Sequence, residues 1–119
     1  MLETLKLIVE STPGAKGAVL MGLDGIVVEQ FVTEEHADTD IESMAMEFSF
    51  RFIELREAAT SLEMGELNDI AVKAEYGTFL ARMLTSEYFV AMLLGEPGHF
   101  GKARWMLRST ANTFLADLL

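Results

Sequence analysis

The sequence predicts an α/β fold of the α+β type, in which one five-stranded antiparallel sheet carries helices on both faces. Three observations support this fold class. Hydrophobic periodicity alternates between the helical and the strand repeat, and it orders the elements as α-β-β-α-β-β-β-α. Strands that are neighbours in sequence are separated by short turns, which favours antiparallel pairs. The length of 119 residues suits a single domain, residues 1–119, with one real core.

A helix opens the chain, and two strands follow it. The helix spans Leu2–Glu10 and ends before Thr12-Pro13-Gly14, because proline cannot continue the hydrogen-bond ladder and glycine permits the exit turn. The strands Ala18–Met21 and Ile26–Phe31 are joined across Asp24-Gly25, which is a strong hairpin signal. The expected inward positions of the helix are Leu2, Leu5, Ile8 and Val9.

The middle helix, Asp40–Leu62, is apolar on two opposite sides. Thr39 and Glu42 predict a capping box at its start, and Gly65 marks its exit. At about 100° per residue, a core stripe spans about −60° to +40° and a second apolar set lies at about 120° to 180°. The core stripe consists of Ile41, Met44, Ala45, Phe48, Phe52, Leu55, Ala59 and Leu62, and the second set of Met46, Phe50 and Ile53. One sheet covers only one side of a helix, so we expect another surface to cover the second set.

Three strands and a closing helix complete the chain. The strand Asp69–Ala74 alternates between apolar and polar residues, as expected for an edge strand. Thr78–Leu84 follows, and Tyr88–Leu94 is apolar almost throughout, which predicts a central strand buried on both faces. The closing helix has its apolar residues at helical spacing, namely Phe100, Ala103, Leu107, Ala111, Phe114 and Leu118.

The net charge of −10 is concentrated in the middle of the chain. Residues 34–69 carry 11 acidic and 2 basic side chains, a local charge of −9. Binding to nucleic acid or to an anionic membrane is not expected, because both require a basic surface. The acidic segment has two open interpretations, a solubilising face or electrostatic guidance of a basic partner. The chain has no cysteine and no visible secretory signal, which suits the cytoplasm.

Several local motifs, in this order, resemble the Roadblock family (dynein light-chain type), and its bacterial MglB-like members in particular. The resemblance covers essentially the whole chain. It depends on the α-β-β-α-β-β-β-α order, the long middle helix and the Asp24-Gly25 hairpin. The matching segments are Pro13-Gly14, Gly17-Ala18-Val19-Leu20, Tyr88-Phe89-Val90-Ala91-Met92-Leu93-Leu94 and Gly101-Lys102-Ala103-Arg104.

The resemblance implies a homodimer whose sheets join edge to edge through the third strand, with the two middle helices side by side. It also implies a small Ras-like GTPase as the partner, or a scaffolding role in a larger complex. The residues expected at the dimer or partner interface are Met46, Phe50, Ile53, Glu47, Glu54, Glu57, Ile70 and Val72. How the second apolar set divides between the sister helix and an outside partner stays open.

Two segments imitate ligand-binding motifs but lack essential residues. Gly95 and Gly101 are one residue too far apart for a phosphate-binding loop, and Ala103 has no hydroxyl for Mg²⁺. Residues 38–42 open like an EF-hand, but Ser43 stands where that loop needs glycine. We therefore expect a turn and a helix start in these two places, with no metal and no cofactor.

No catalytic constellation is expected, although a GTPase activator often inserts an arginine into its partner. Arg51 and Arg56 lie on the middle helix, where such a residue would belong, but pairing with Glu47 or Glu54 explains Arg51 equally well. The leading hypothesis is a non-enzymatic homodimeric regulator or scaffold that binds a small GTPase, with activation of GTP hydrolysis as one form of that regulation. The alternatives are a purely structural adaptor and a small-molecule sensor module.

Overall fold

The computed structural model describes residues 1–119, and its elements follow the order predicted from the sequence. The helices and strands are α1 (Leu2–Glu10), β1 (Ala15–Gly22), β2 (Val27–Val32), α2 (Ile41–Ser61), β3 (Asp69–Ala74), β4 (Gly77–Met83), β5 (Tyr88–Leu94) and α3 (Phe100–Leu118). A short 3₁₀ turn at Glu34–His36 lies in the loop before α2. The predicted α+β fold class is confirmed.

The five strands form one antiparallel sheet in the order β2-β1-β5-β4-β3. β5 lies at the centre, and six of its seven residues are buried. β3 lies at one edge, and from Ile70 to Lys73 its residues alternate between half-buried and exposed. Both positions agree with the expectations from composition, since a strand covered on both faces is apolar throughout and an edge strand is not.

Helices cover both faces of the sheet, and alternate residues of each strand face opposite ways. On one side, the α1/α3 face, Ala18 and Leu20 of β1 pack with residues of α1 and α3. On the other side, the α2 face, Val19 and Met21 pack with residues of α2. The sheet therefore has a filled core on each face.

The termini of α2 differ from the predicted capping box and glycine exit. The N-cap is Asp40, which accepts hydrogen bonds from the Ser43 amide (3.1 Å) and the Ser43 hydroxyl (2.7 Å). These bonds, the backbone bond first, lower the pKa of the Asp40 carboxyl from its ordinary value. A carboxylate at the positive end of a helix is favoured over the Thr39 hydroxyl, so the cap lies one residue later than Thr39 and Glu42 suggest.

At the other end of α2, the left-handed residue that ends the helix is Glu63, with φ of 57°, two residues before Gly65, whose φ is also positive. The Glu63 amide donates to the Thr60 carbonyl (3.1 Å) and the Met64 amide donates to the Ala59 carbonyl (2.9 Å). This pair of bonds is a Schellman motif. It satisfies the last carbonyls of the helix two residues before the glycine is reached.

Three residues expected in the core are exposed, namely Leu2, Leu55 and Leu62. The polar residue Ser49 lies on the sheet-facing side of α2, where it is fully buried, and its hydroxyl donates to the Met46 carbonyl at 2.7 Å. The core side of α2 is thus rotated from the predicted stripe toward Ser49. Leu55 and Leu62, at the far margin of that stripe, consequently lie outside the core.

Candidate functional site

One flank of α2 leans over the turn between β1 and β2. Met46 is 37 % exposed and Phe50 is 50 % exposed. A Cβ atom on Gly25 would lie 3.1 Å from Met46 Cγ and 3.8 Å from Phe50 Cζ, so both side chains rest against this turn. Ile53 is half-buried and packs against the core of the α2 face. We call Met46, Phe50 and Ile53 the turn-side flank; its first two residues present the accessible apolar surface.

The opposite flank of α2 leans toward β4 and the free edge of the sheet. The Phe48 ring stacks on Phe79 of β4 with centroids 4.7 Å apart, and Phe48 stays half-buried. Met44 and Leu55 lie on the same side of the helix, within about 40° of Phe48 around its axis. Met44 is half-buried and Leu55 is 48 % exposed. We call Met44, Phe48 and Leu55 the edge-side flank.

Periodicity placed all three edge-side residues in the core. The stripe from which they come is continuous with the buried residues, so spacing alone does not separate the two. The width of the stripe, about 100°, indicates that residues at its margins lie outside the core, because such residues reach past the surface beneath the helix.

The free edge beside this flank is β3. Ile70 and Val72 are half-buried on its α2 face, and Ile70 packs against the core there. Asp69 and Lys73 lie on its α1/α3 face, with the Lys73 ammonium 3.8 Å from the centroid of the Phe100 ring. β3 has no neighbour on its outer side. Edge and flank together form a surface that another chain can cover.

The outward surface of α2 is acidic. Glu47, Glu54 and Glu57 are all exposed. Arg51 pairs with Glu47 at 3.4 Å and donates to the Glu47 carbonyl at 2.9 Å, while Arg56 donates to the Ser86 carbonyl at 2.7 Å. Both arginines are thus engaged in contacts within the chain.

The glycine-containing segment before α3 is a turn and a helix start. His99 is the N-cap of α3, and its Nδ1 accepts a hydrogen bond from the Lys102 amide at 3.1 Å. No group of three or more His, Cys, Asp or Glu side chains is arranged to hold a metal ion. No helix is long and apolar enough to span a bilayer.

Two other surface features lie apart from the flanks of α2. An open cavity of about 660 Å³, most of whose lining residues are polar, lies between the C-terminal end of α2, the loop before β3 and the β4–β5 turn, and Arg56, Glu63 and Ser86 are among those residues. Trp105 of α3 is exposed, with the Lys102 ammonium 5.1 Å from its ring centroid.

Comparison with known proteins connects this geometry to one family. No model of a known protein family matches the sequence, and no curated protein does. Among solved structures, MglC from Myxococcus xanthus is 32 % identical, with 97 % of this chain and 96 % of that chain covered and a TM-score of 0.69. A Roadblock/LC7 domain from Streptomyces avermitilis is 18 % identical, with coverages of 99 % and 97 % and a TM-score of 0.86. Myxococcus xanthus MglB is 12 % identical, with coverages of 98 % and 94 % and a TM-score of 0.82.

Proposed function

Because the chain belongs to the Roadblock family, we propose that residues 1–119 act as one Roadblock-like domain that forms a homodimer and regulates a small Ras-like GTPase. The single observation that carries this proposal is the surface of α2, which presents accessible apolar residues on both flanks within an acidic segment. The absence of cysteine suits the cytoplasm, which we propose as its location.

We assign the edge-side flank and β3 to the homodimer. Pairing of β3 with its copy would remove an exposed edge, which sheet proteins rarely leave open. A two-fold axis at this edge would bring the two α2 helices together, so that Leu55 and Phe48 meet their copies. Ile70 and Val72 would lie under the joined helices. The dimer therefore accounts for the apolar residues that the core leaves uncovered on this side.

We assign the turn-side flank to the GTPase. Met46 and Phe50 lean toward the β1–β2 turn, at the opposite end of the strand order from β3, so a dimer through β3 leaves them accessible. Glu47, Glu54 and Glu57 lie on the outward surface of the same helix and favour a partner with a basic surface. Such guidance is screened by salt, so binding is expected to weaken as ionic strength rises.

Regulation by an inserted arginine is not the mechanism we propose. Arg51 and Arg56 already bind groups of their own chain, and α2 carries no other arginine. We propose instead that the paired α2 surface holds the switch segments of the GTPase in one conformation, since a binder shifts an equilibrium by its difference in affinity for the two states. The protein itself would then have no active site.

The test is GTP hydrolysis by a Ras-like GTPase of the same organism, measured in single turnover with and without this protein. The regulator hypothesis predicts a changed rate, and Phe50→Glu should abolish the change. Leu7→Glu is the matched control, because Leu7 is similarly exposed, at 54 %, but lies on α1 across the sheet. Binding without any change in rate would favour the structural adaptor. The absence of both binding and a rate change would refute the regulatory role.

A further inference from the structure

The two faces of β3 carry different chemistry. Asp69 contacts Arg104 of α3 at 3.6 Å and Lys73 lies over Phe100 of α3, so these residues and Ala71 between them face α1 and α3. Ile70 and Val72 consequently face α2. Any antiparallel partner of β3 must match this alternation, because opposite residues share a face.

The hydrogen-bonding direction of β3 follows from its pairing with β4. The Met83 amide donates to the Asn68 carbonyl at 2.8 Å, at positions opposite one another in the β3–β4 register. Hydrogen-bonded pairs alternate along an antiparallel ladder, so Ile70 and Val72 also bond toward β4. The amides and carbonyls of Asp69, Ala71 and Lys73 therefore point to the free edge.

Resting on the proposed homodimer, we propose that the two-fold axis passes through Ala71 of both subunits. In this register Asp69 lies opposite Lys73 of the partner subunit, twice per dimer, and Ile70 lies opposite Val72 of the partner subunit. All three outward-pointing residues then form hydrogen-bonded pairs. A second copy of this chain is thus the occupant of the edge, selected by charge.

Other positions of the two-fold axis bring like charges together or lose the pairing of Asp69 with the partner's Lys73. An axis at Asp69 or at Lys73 places each of these charges against its own copy, which is destabilising. An axis at Val72 places Asp69 opposite the partner's Glu75. An axis at Ile70 leaves Asp69 opposite the partner's Ala71 and carries Lys73 past the end of the paired strand. Only the axis at Ala71 pairs both charges of the strand.

The Asp69 carboxylate has room for this contact. Arg82 and Arg104 approach it at 3.7 Å and 3.6 Å, and both contacts are to Oδ2. Oδ1 is left for the partner's Lys73. The Lys73 ammonium is exposed above the Phe100 ring and reaches across by rotation of its side chain.

The chain has no cysteine, so disulfide trapping reads the register directly. Ile70→Cys and Val72→Cys subunits with tags of different size are mixed and oxidised. Opposite residues at non-hydrogen-bonded positions have Cα atoms about 4.5 Å apart, within the range for a disulfide. The axis at Ala71 predicts a mixed disulfide dimer and no cross-link in either variant alone.

The other outcomes separate the register from the dimer. Self-cross-linking of Ile70→Cys alone, or of Val72→Cys alone, would overturn the axis at Ala71 while leaving the homodimer standing. No cross-link in a chain that sediments as a dimer would overturn the axis at Ala71, leaving an axis at Asp69 or at Lys73, or a joint other than β3. A monomer in sedimentation would overturn the homodimer as well.

Charge reversal gives an independent measurement of the same register. Lys73→Glu places a carboxylate opposite each Asp69, so the dimer Kd should rise on the order of tenfold or more. Lys6→Glu, an exposed lysine of α1, is the matched control and should leave the Kd unchanged. An unchanged Kd in Lys73→Glu would overturn the register.

Discussion

Replacing Leu55 with Glu is expected to dissociate the proposed homodimer while the subunit stays folded. Leu55 lies on the edge-side flank and is 48 % exposed in the single chain, so the fold does not depend on burying it completely. The dimer would cover the remaining surface. The substitution therefore separates association from folding.

The magnitude follows from the surface left to bury. Full burial of a leucine contributes about 1.5–3 kcal/mol, so the exposed half of Leu55 contributes about 1 kcal/mol. Two copies meet in one dimer, and their loss costs about 2 kcal/mol, or about 30-fold in Kd. Each introduced carboxylate adds a desolvation cost, so the Kd should rise by about 30-fold or more.

The assay is sedimentation equilibrium over a range of protein concentrations, with circular dichroism to verify the fold. Phe50→Glu on the turn-side flank should keep the wild-type Kd, and so should Leu7→Glu on α1. A Leu55→Glu variant with the wild-type Kd would refute the assignment of the edge-side flank to the dimer. Dissociation by Phe50→Glu instead would move the interface to the turn-side flank.

Three further predictions concern stability. Phe52→Ala should destabilise the fold by about 3–5 kcal/mol in urea denaturation, because Phe52 is 1 % exposed and packs edge-on against Phe89 at 5.2 Å; a cost below about 1 kcal/mol would contradict its place in the core. Glu63→Gly should raise the unfolding free energy by about 0.5–1 kcal/mol and therefore the urea midpoint, since glycine adopts the left-handed conformation without strain. A lower midpoint would refute this. Asp40→Ala should lower Tm at neutral pH, and Asp40→Asn should lower it less, because the Asn amide oxygen keeps a cap hydrogen bond but carries no charge. The folded-state pKa of Asp40 is lowered, so its carboxylate gives the fold extra stability at pH values above the unfolded-state pKa. This stability is lost as the pH falls through the folded-state pKa, and Asp40→Asn should lack that loss at acid pH.

The elements that the sequence predicted best are those whose ends are marked by turn residues. β3 and β5 begin and end at the predicted residues, Asp69–Ala74 and Tyr88–Leu94. The two-residue turn Glu75-Tyr76 follows β3 and Gly95 follows β5, while the alternation of β3 and the apolar run of β5 indicate how each is buried. The order in which the strands pair, β2-β1-β5-β4-β3, was not predicted, because periodicity gives the two faces of a strand and not its neighbours.

The surface of α2 was predicted less completely. Periodicity gives the angle of each residue around a helix, but not where the sheet beneath the helix ends. Periodicity therefore predicts Leu55 in the core and Met46 and Phe50 facing away from the sheet, whereas Met46 and Phe50 rest against the β1–β2 turn. The position of Ser49 in the core depends on a hydrogen bond to its own helix, which composition does not reveal.

Regulation of a GTPase through the turn-side flank is tested by titrating the dimer with a Ras-like GTPase, loaded in turn with a GTP analogue and with GDP. We expect tighter binding in one nucleotide state, weakening with salt, and loss of that binding in Phe50→Glu but not in Leu7→Glu. Equal affinity for both states, or no binding to either, would contradict it.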